Sequence, residues 1–268
     1  MKKTIFITGA STGLGRATAI LFAEKGWKVI ATMRNPKKDS ELGKVDNILV
    51  LPLDVTDPEQ IKSTCFLAIQ AGVDVVFNNA GYGLAGPFEG ASDEQVRQEL
   101  DTNLLGVMRV TAQFIPHFRA KKSGVFLTTT SIGGLVTFPF NSVYHATKWG
   151  LEGWSESLSF ELKPFGIQVK TIAPGGISTD FASRSLVLTP HPAYESLANK
   201  VMAVFSDPRR QKNYSSAEQI AHVVFETATD GKSQLRYIAG KDAKRLYKIR
   251  RRFGYKFFVN QITKRFFQ

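Results

Sequence analysis

The sequence predicts an α/β chain: a single doubly wound parallel sheet with helices on both faces. Two observations carry this. Short, β-branched runs that are apolar on both faces recur along the chain, and helical patterns fill the gaps between them. Strands without polar alternation belong to a sheet covered on both sides, which is the parallel case.

The elements follow in order. Thr4 to Thr8 is the first strand and Arg16 to Lys25 the first helix. Strands follow at Lys28 to Thr32 and Ile48 to Leu51, then a helix at Pro58 to Gln70 and a fourth strand at Val73 to Phe77. A long helix is expected over Asp93 to Ala120, a strand over Gly124 to Thr128, a helix over Ser142 to Lys163 and a sixth strand over Gln168 to Ile172. A weaker strand falls at Tyr237 to Ile238. The βα alternation runs to about residue 173 with no Ser/Gly/Pro linker and no fixed repeat, so one domain is expected over 1–240. Within it, 177–216 is too long for a routine connection and reads as a substrate-loop region. Residues 241–268 read as a separate basic, amphipathic segment.

Composition narrows the classes. With 43% hydrophobic and 22% charged residues in 268, disorder and collagen are excluded. The single Cys65 makes no internal disulfide, and His117, His145, His191 and His222 are too scattered for a zinc site, so no metal is expected. A reducing, cytoplasmic compartment fits. The apolar run Ile5-Phe6-Ile7 stops at Thr8-Gly9, short of the roughly 7 to 15 residues of a signal h-region. The longest uncharged stretch, Ser123 to Thr147, is broken by three threonines, Gly133-Gly134 and Pro139, and suits a membrane span poorly.

The net charge of +12 is uneven. Lys241 to Gln268 holds ten Lys and Arg against one Asp. In it Leu246, Ile249, Phe253 and Phe257 recur at helical spacing, with Gly254 as an interruption. Three readings stand: the segment closes over a substrate mouth or packs on a subunit, lies on an anionic membrane as a peripheral contact, or, least favoured, binds nucleic acid.

Thr8-Gly9-Ala10-Ser11-Thr12-Gly13-Leu14-Gly15 follows the first strand and opens the first helix. Gly9 suits the tight turn, Gly13 the close approach of backbone to a pyrophosphate, and Gly15 close helix packing, while the helix N-terminus supplies amide donors. A dinucleotide is the implied ligand. Where the second strand ends, an NAD site commonly places an acid on the ribose 2′-hydroxyl. Here the sequence reads Ala31-Thr32-Met33-Arg34, with Lys37 and Lys38 behind. Arg34 suits a 2′-phosphate, which favours NADP(H) over NAD(H).

Tyr144 and Lys148 stand four residues apart, on one face of the expected helix. Phenolate at neutral pH costs a free tyrosine about 4 kcal/mol, which a neighbouring ammonium and a cationic nicotinamide reduce. The pair suits proton exchange with an alcohol or carbonyl. His145 points away from that face and reads as a packing residue. Tyr82, Phe88, Phe138 and Phe140 read equally as core or pocket lining.

The glycine turn, Tyr144/Lys148 and Asn78-Asn79-Ala80-Gly81 together resemble the short-chain dehydrogenases/reductases. In order come also Asp54-Val55, Asn103 in Thr102-Asn103-Leu104-Leu105-Gly106, Ser131 thirteen positions before Tyr144, and Pro174-Gly175 with Thr179. The resemblance spans Lys3 to Phe181 and looks like the single-domain branch with an Asn-Ser-Tyr-Lys tetrad, with general similarity to steroid- and retinol-active members. It implies a Rossmann-type fold and a homodimer or homotetramer paired through the helices at Asp93 to Ala120 and Ser142 to Lys163. It also implies Tyr144 as general acid/base, Lys148 lowering its pKa and holding the nicotinamide ribose, Ser131 on the substrate oxygen, and Asn103 holding a water that links Lys148 to solvent. Asp54 and Val55 would face adenine, Asn79, Ala80 and Gly81 the adenine-side ribose and backbone, and Ile177 and Thr179 the carboxamide. The expected activity is NADP(H)-dependent interconversion of an alcohol and a ketone or aldehyde on an apolar, steroid-, retinoid- or fatty-type substrate. An NAD(H)-preferring enzyme of the same family, or a dinucleotide-binding sensor without turnover, is the alternative.

Overall fold

The computed structural model describes residues 2–38, 41–178 and 185–268. Seven parallel strands form the central sheet: β1 (Thr4–Ile7), β2 (Lys28–Met33), β3 (Ile48–Pro52), β4 (Val75–Asn78), β6 (Gly124–Thr129), β7 (Ile167–Pro174) and β11 (Arg236–Ala239), in the order β11-β7-β6-β4-β1-β2-β3. Chain order reverses between β1 and β4, whose register pairs Ile5 with Val75. A crevice opens at the carboxyl ends of strands at such a reversal.

Side-chain alternation in the strands explains why both faces are apolar. Ile5 and Ile7 enter one core with Phe22, Trp27, Ile220 and Val224, while Phe6 between them enters the other with Phe114, Phe118 and Leu158. The first face is covered by α1 (Gly13–Glu24) and α8 (Ala217–Thr229), the second by α2 (Pro58–Gln70), α4 (Gly106–Lys121) and α5 (Ser142–Leu162). On the second face Phe118 packs on Phe126 with ring centroids 4.9 Å apart. Helix α2 starts where the Asp57 carboxylate accepts the N–H groups of Glu59 and Gln60, with Pro58 in its first turn.

Three expectations change. The helix expected over Asp93 to Ala120 is two helices, α3 (Asp93–Leu100) and α4, joined by a π turn at Asp101–Leu105 that the local sequence does not announce. The fourth strand begins at Val75, not Val73. The stretch 177–216 has elements of its own: β8 (Ile177–Ser178), β9 (Leu186–Leu188), α6 (Glu195–Phe205), α7 (Pro208–Gln211) and β10 (Ser215–Ser216). Its strands pair outside the main sheet, β9 with β5 (Gly83–Ala85) and β10 with β8.

Residues 241–267 form α9 (Lys241–Phe267), bent at Gly254, whose φ of 76° and ψ of −175° leave the helical region. Buried Phe258 and Phe266 hold it to the body, and Phe266 packs on Phe138 and Phe205. Leu246, Ile249 and Ile262 lie against the cluster of Ile132 and Val136. The segment is therefore packed on its own chain. Among the described residues no helix is long and apolar enough to cross a membrane.

Candidate active site

A cleft of about 1590 Å³ lies at the β1/β4 reversal. Its floor is the glycine turn. Gly9 and Gly13 take positive φ values of 68° and 54°. Gly15 lies under the turn, where a Cβ would meet the Gly9 carbonyl oxygen at 2.2 Å, so its contribution is close packing and not a place on the cleft wall. Asn79 braces the same turn, donating from Nδ2 to the carbonyls of Thr8 and Gly9 at 3.2 and 3.1 Å. Thr12, at the start of α1, has extended backbone and makes no side-chain cap of its own.

Most of the expected binding residues meet in this cleft. Gly9, Ser11, Thr12, Gly13 and Leu14 line it below, and Arg34, Asp54 and Val55 line it where β2 and β3 end. Asn79, Ala80 and Gly81 follow β4, and Pro174, Gly175 and Ile177 follow β7. The Asp54 carboxylate is committed locally, accepting from the Thr56 amide at 2.9 Å and hydroxyl at 2.7 Å. Thr179 lies outside the described residues.

Ser131, Tyr144 and Lys148 converge on one wall. Ser131 Oγ accepts the Gly133 N–H at 2.9 Å, which leaves its own proton free to donate on the side of the cleft that Tyr144 also lines. Lys148 Nζ lies 5.8 Å from the Tyr144 ring centre and donates to the Thr129 carbonyl at 2.9 Å. Burial pushes the Lys148 ammonium down to about 8, while the Glu99 and Glu152 carboxylates oppose that fall. Burial raises the Tyr144 phenol to about 12 and the Glu99 charge adds to the rise, while the Ser131 hydroxyl works downward.

Asn103 stands behind this wall, fully buried in the π turn. Its Oδ1 accepts the Tyr82 N–H at 2.9 Å and its Nδ2 donates to the Tyr82 carbonyl at 2.7 Å. The side chain clamps the strand-end backbone and does not line the cleft. Beside it lies Glu99, unnoticed in the sequence because a glutamate within Asp93-Glu94-Gln95-Val96-Arg97-Gln98-Glu99 reads as part of a solvated face. Glu99 is fully buried, accepts the Leu84 N–H at 2.9 Å, and has an Oε2 with no hydrogen-bond partner among the described residues. Burial raises its carboxyl to about 7, against the Leu84 hydrogen bond and the Lys148 charge.

His145 is a clamp, not an acid. Its Nε2 accepts the Phe138 N–H at 2.9 Å, which places the ring proton on Nδ1, facing the Gly133 carbonyl at 2.6 Å. Burial holds its pKa below the ordinary range. Of the ambiguous aromatics, Tyr82 and Phe140 line the cleft, Phe138 packs behind it against Phe205, and Phe88 is 64% exposed. Phe140 adopts a φ of 58°, uncommon for a bulky residue and consistent with a wall shaped by its neighbours.

Residues 3–186 match the family model for short chain dehydrogenase. The chain is 33% identical over 258 residues to 17-beta-hydroxysteroid dehydrogenase type 1 of Homo sapiens, covering 88% of this chain and 77% of that one. It is 32% identical over 229 residues to retinol dehydrogenase 8 of Homo sapiens, covering 81% and 73%. The solved structure of a short-chain dehydrogenase from Streptomyces avermitilis superimposes with a TM-score of 0.83 at 31% identity, over 98% of this chain and 96% of that one. With the family pattern running from the first strand past the seventh-strand turn, and these relatives covering more than two thirds of both chains, the chain belongs to the short-chain dehydrogenase family.

Proposed function

We propose that the chain is an NADP(H)-dependent oxidoreductase that interconverts an alcohol with a ketone or aldehyde. The observation that carries this reading is the convergence of Ser131, Tyr144 and Lys148 on one cleft with the glycine turn. The residues fit a dinucleotide: the positive-φ glycines and the first-turn amides of α1 suit a pyrophosphate, and Arg34 at the end of β2 suits a 2′-phosphate. A bound nicotinamide supplies the site that donates or accepts hydride. Tyr144 Oη then gives or takes the hydroxyl proton, Ser131 Oγ holds the substrate oxygen, and the Lys148 ammonium favours the phenolate form. Asn103 holds the Tyr82 backbone against this wall.

The opposite wall indicates the substrate. Leu186, Val187, Leu188, Met202 and Phe205 line it, and such a surface suits a largely apolar carbonyl or alcohol, of the steroid, retinoid or fatty type. The outer faces of α4 and α5 serve as the subunit interface in a dimer or tetramer: Leu105, just before α4, and Trp149 and Phe160 on α5 are 40%, 44% and 69% exposed. The body of the protein works in the cytoplasm.

Titration with NADPH and NADH, followed by nucleotide fluorescence, tests the cofactor. NADPH is expected to bind at least about tenfold tighter, a gap of about 1.4 kcal/mol. Equal or tighter NADH binding overturns the preference, and no binding of either overturns the oxidoreductase reading. Tyr144→Phe is expected to keep cofactor binding and abolish turnover of an apolar carbonyl. Retained turnover excludes Tyr144 as the proton donor.

A further inference from the structure

The bend in α9 leaves the run Arg251-Arg252-Phe253-Gly254-Tyr255-Lys256-Phe257 exposed throughout. Phe253, Tyr255 and Phe257 are 55%, 64% and 41% exposed, although Phe258 next to them is 3% exposed and anchors the second half of the helix. Phe253 and Phe257 stack with centroids 4.9 Å apart, and the Arg250 guanidinium lies 5.0 Å from the centre of the Tyr255 ring. A break at Gly254 has thus turned an amphipathic helix into an elbow, with an aromatic wedge at its tip and three exposed cations, Arg251, Arg252 and Lys256, around it.

We propose that this elbow docks on the surface of an anionic phospholipid bilayer, with Phe253, Tyr255 and Phe257 entering the headgroup boundary and Arg251, Arg252 and Lys256 meeting lipid phosphate and carboxylate groups. The proposal goes beyond the oxidoreductase reading and does not rest on it. Charge complementarity selects the occupant. From Ala243 to Gln268 the chain has no Asp or Glu, so two copies joined elbow to elbow about a two-fold axis would set cations against cations. Between Lys248 and Val259 there is also no Asn or Gln to read adenine, and the two phenylalanine rings stack on one another instead of presenting separate faces to bases. Interfacial aromatics flanked by Lys and Arg match a bilayer surface, where each cation adds to attraction and each ring buries apolar area.

The full-length protein is floated on a density gradient with phosphatidylcholine vesicles, with or without phosphatidylserine, alone and as two variants. One carries Phe253→Ser, Tyr255→Ser and Phe257→Ser, the other Arg251→Gln, Arg252→Gln and Lys256→Gln. The unaltered chain should float with the phosphatidylserine vesicles and stay behind with pure phosphatidylcholine. Each variant should bind about tenfold more weakly or worse. The six residues do not line the cleft, so NADPH affinity and thermal midpoint should hold in both variants. Failure of the unaltered chain to float, or equal flotation with neutral vesicles, overturns the proposal. So does a fall in oligomer mass in the serine variant, which would make the elbow a subunit contact, or capture of a single-stranded oligonucleotide in place of vesicles.

Discussion

The buried carboxylate of Glu99 accepts from the side-chain amide of Asn103 at 3.4 Å, while the other Asn103 bonds hold the Tyr82 backbone. An ionisable acid thus stands one residue behind the wall of Ser131, Tyr144 and Lys148, and its charge reaches both Lys148 and Tyr144. Glu99→Gln keeps the shape and removes the charge. The folded carboxyl titrates near 7 against an ordinary 4.5, so folding is undisturbed by it below 4.5, loses stability as pH rises to 7, and carries the full cost above that. That cost is on the order of 3 kcal/mol. The variant should therefore gain stability at pH 8 and little at pH 4.5, checked by urea unfolding at both. Because the carboxylate raises the pKa of both Lys148 and Tyr144, its loss should move the pH profile of alcohol oxidation toward lower pH.

Arg34 lines the cleft at the end of β2, where a guanidinium fork suits a ligand that carries a phosphate at the ribose 2′-position. Arg34→Ala should weaken NADPH binding by about tenfold or more and leave NADH binding unchanged. Equal losses for both nucleotides in the fluorescence titration would show that Arg34 touches a part they share.

Gly15 tests the packing beneath the turn. An added Cβ would lie 2.2 Å from the Gly9 oxygen and 2.6 Å from Asn79 Nδ2, and these neighbours hold each other in place. Gly15→Ala should cost about 1 to 3 kcal/mol of stability and distort the phosphate cradle. Calorimetry should show the lowered midpoint and nucleotide titration the weaker binding. Gly26, where an added Cβ meets nothing within 4 Å, serves as the comparison, since any cost there comes from its φ of 80° alone.

What the sequence reveals follows the range of the forces involved. The sheet strands are legible because a covered parallel sheet makes each strand apolar on both faces, as in Ile5-Phe6-Ile7, whose neighbours enter opposite cores. The glycine turn and the Tyr144/Lys148 pair are legible because backbone approach and helix spacing are local. The π turn is not, because its setting is tertiary: the side chain of Asn103 is drawn to the backbone of Tyr82, twenty-one positions away. Glu99 is hidden for the same reason, as only the fold shows that its helix face turns inward to Leu84. In 195–205 the apolar residues Leu197, Val201, Met202 and Phe205 keep helical spacing, so α6 carries a local signal within the long stretch 177–216.

Asp242 connects the C-terminal helix to the cleft. In the first turn of α9 its Oδ2 accepts the Gly176 N–H at 2.8 Å, and its carboxylate so fills the space beside Gly175 that a Cβ there would meet Oδ1 at 2.2 Å. The turn Pro174-Gly175-Gly176-Ile177 lines the cleft at the end expected to hold the carboxamide, so a residue of the tail fixes part of the cleft wall. Asp242→Ala leaves the Gly176 amide without its acceptor and opens a void next to Gly175, at a cost of about 1 to 3 kcal/mol. Asp242→Asn keeps an acceptor oxygen of the same shape and should recover most of that loss. For the alanine variant the KM for NADPH should rise several-fold while kcat changes little, because the Tyr144 and Ser131 wall is untouched. Equal falls in kcat for the alanine and asparagine variants would instead place the Asp242 charge in the chemical step.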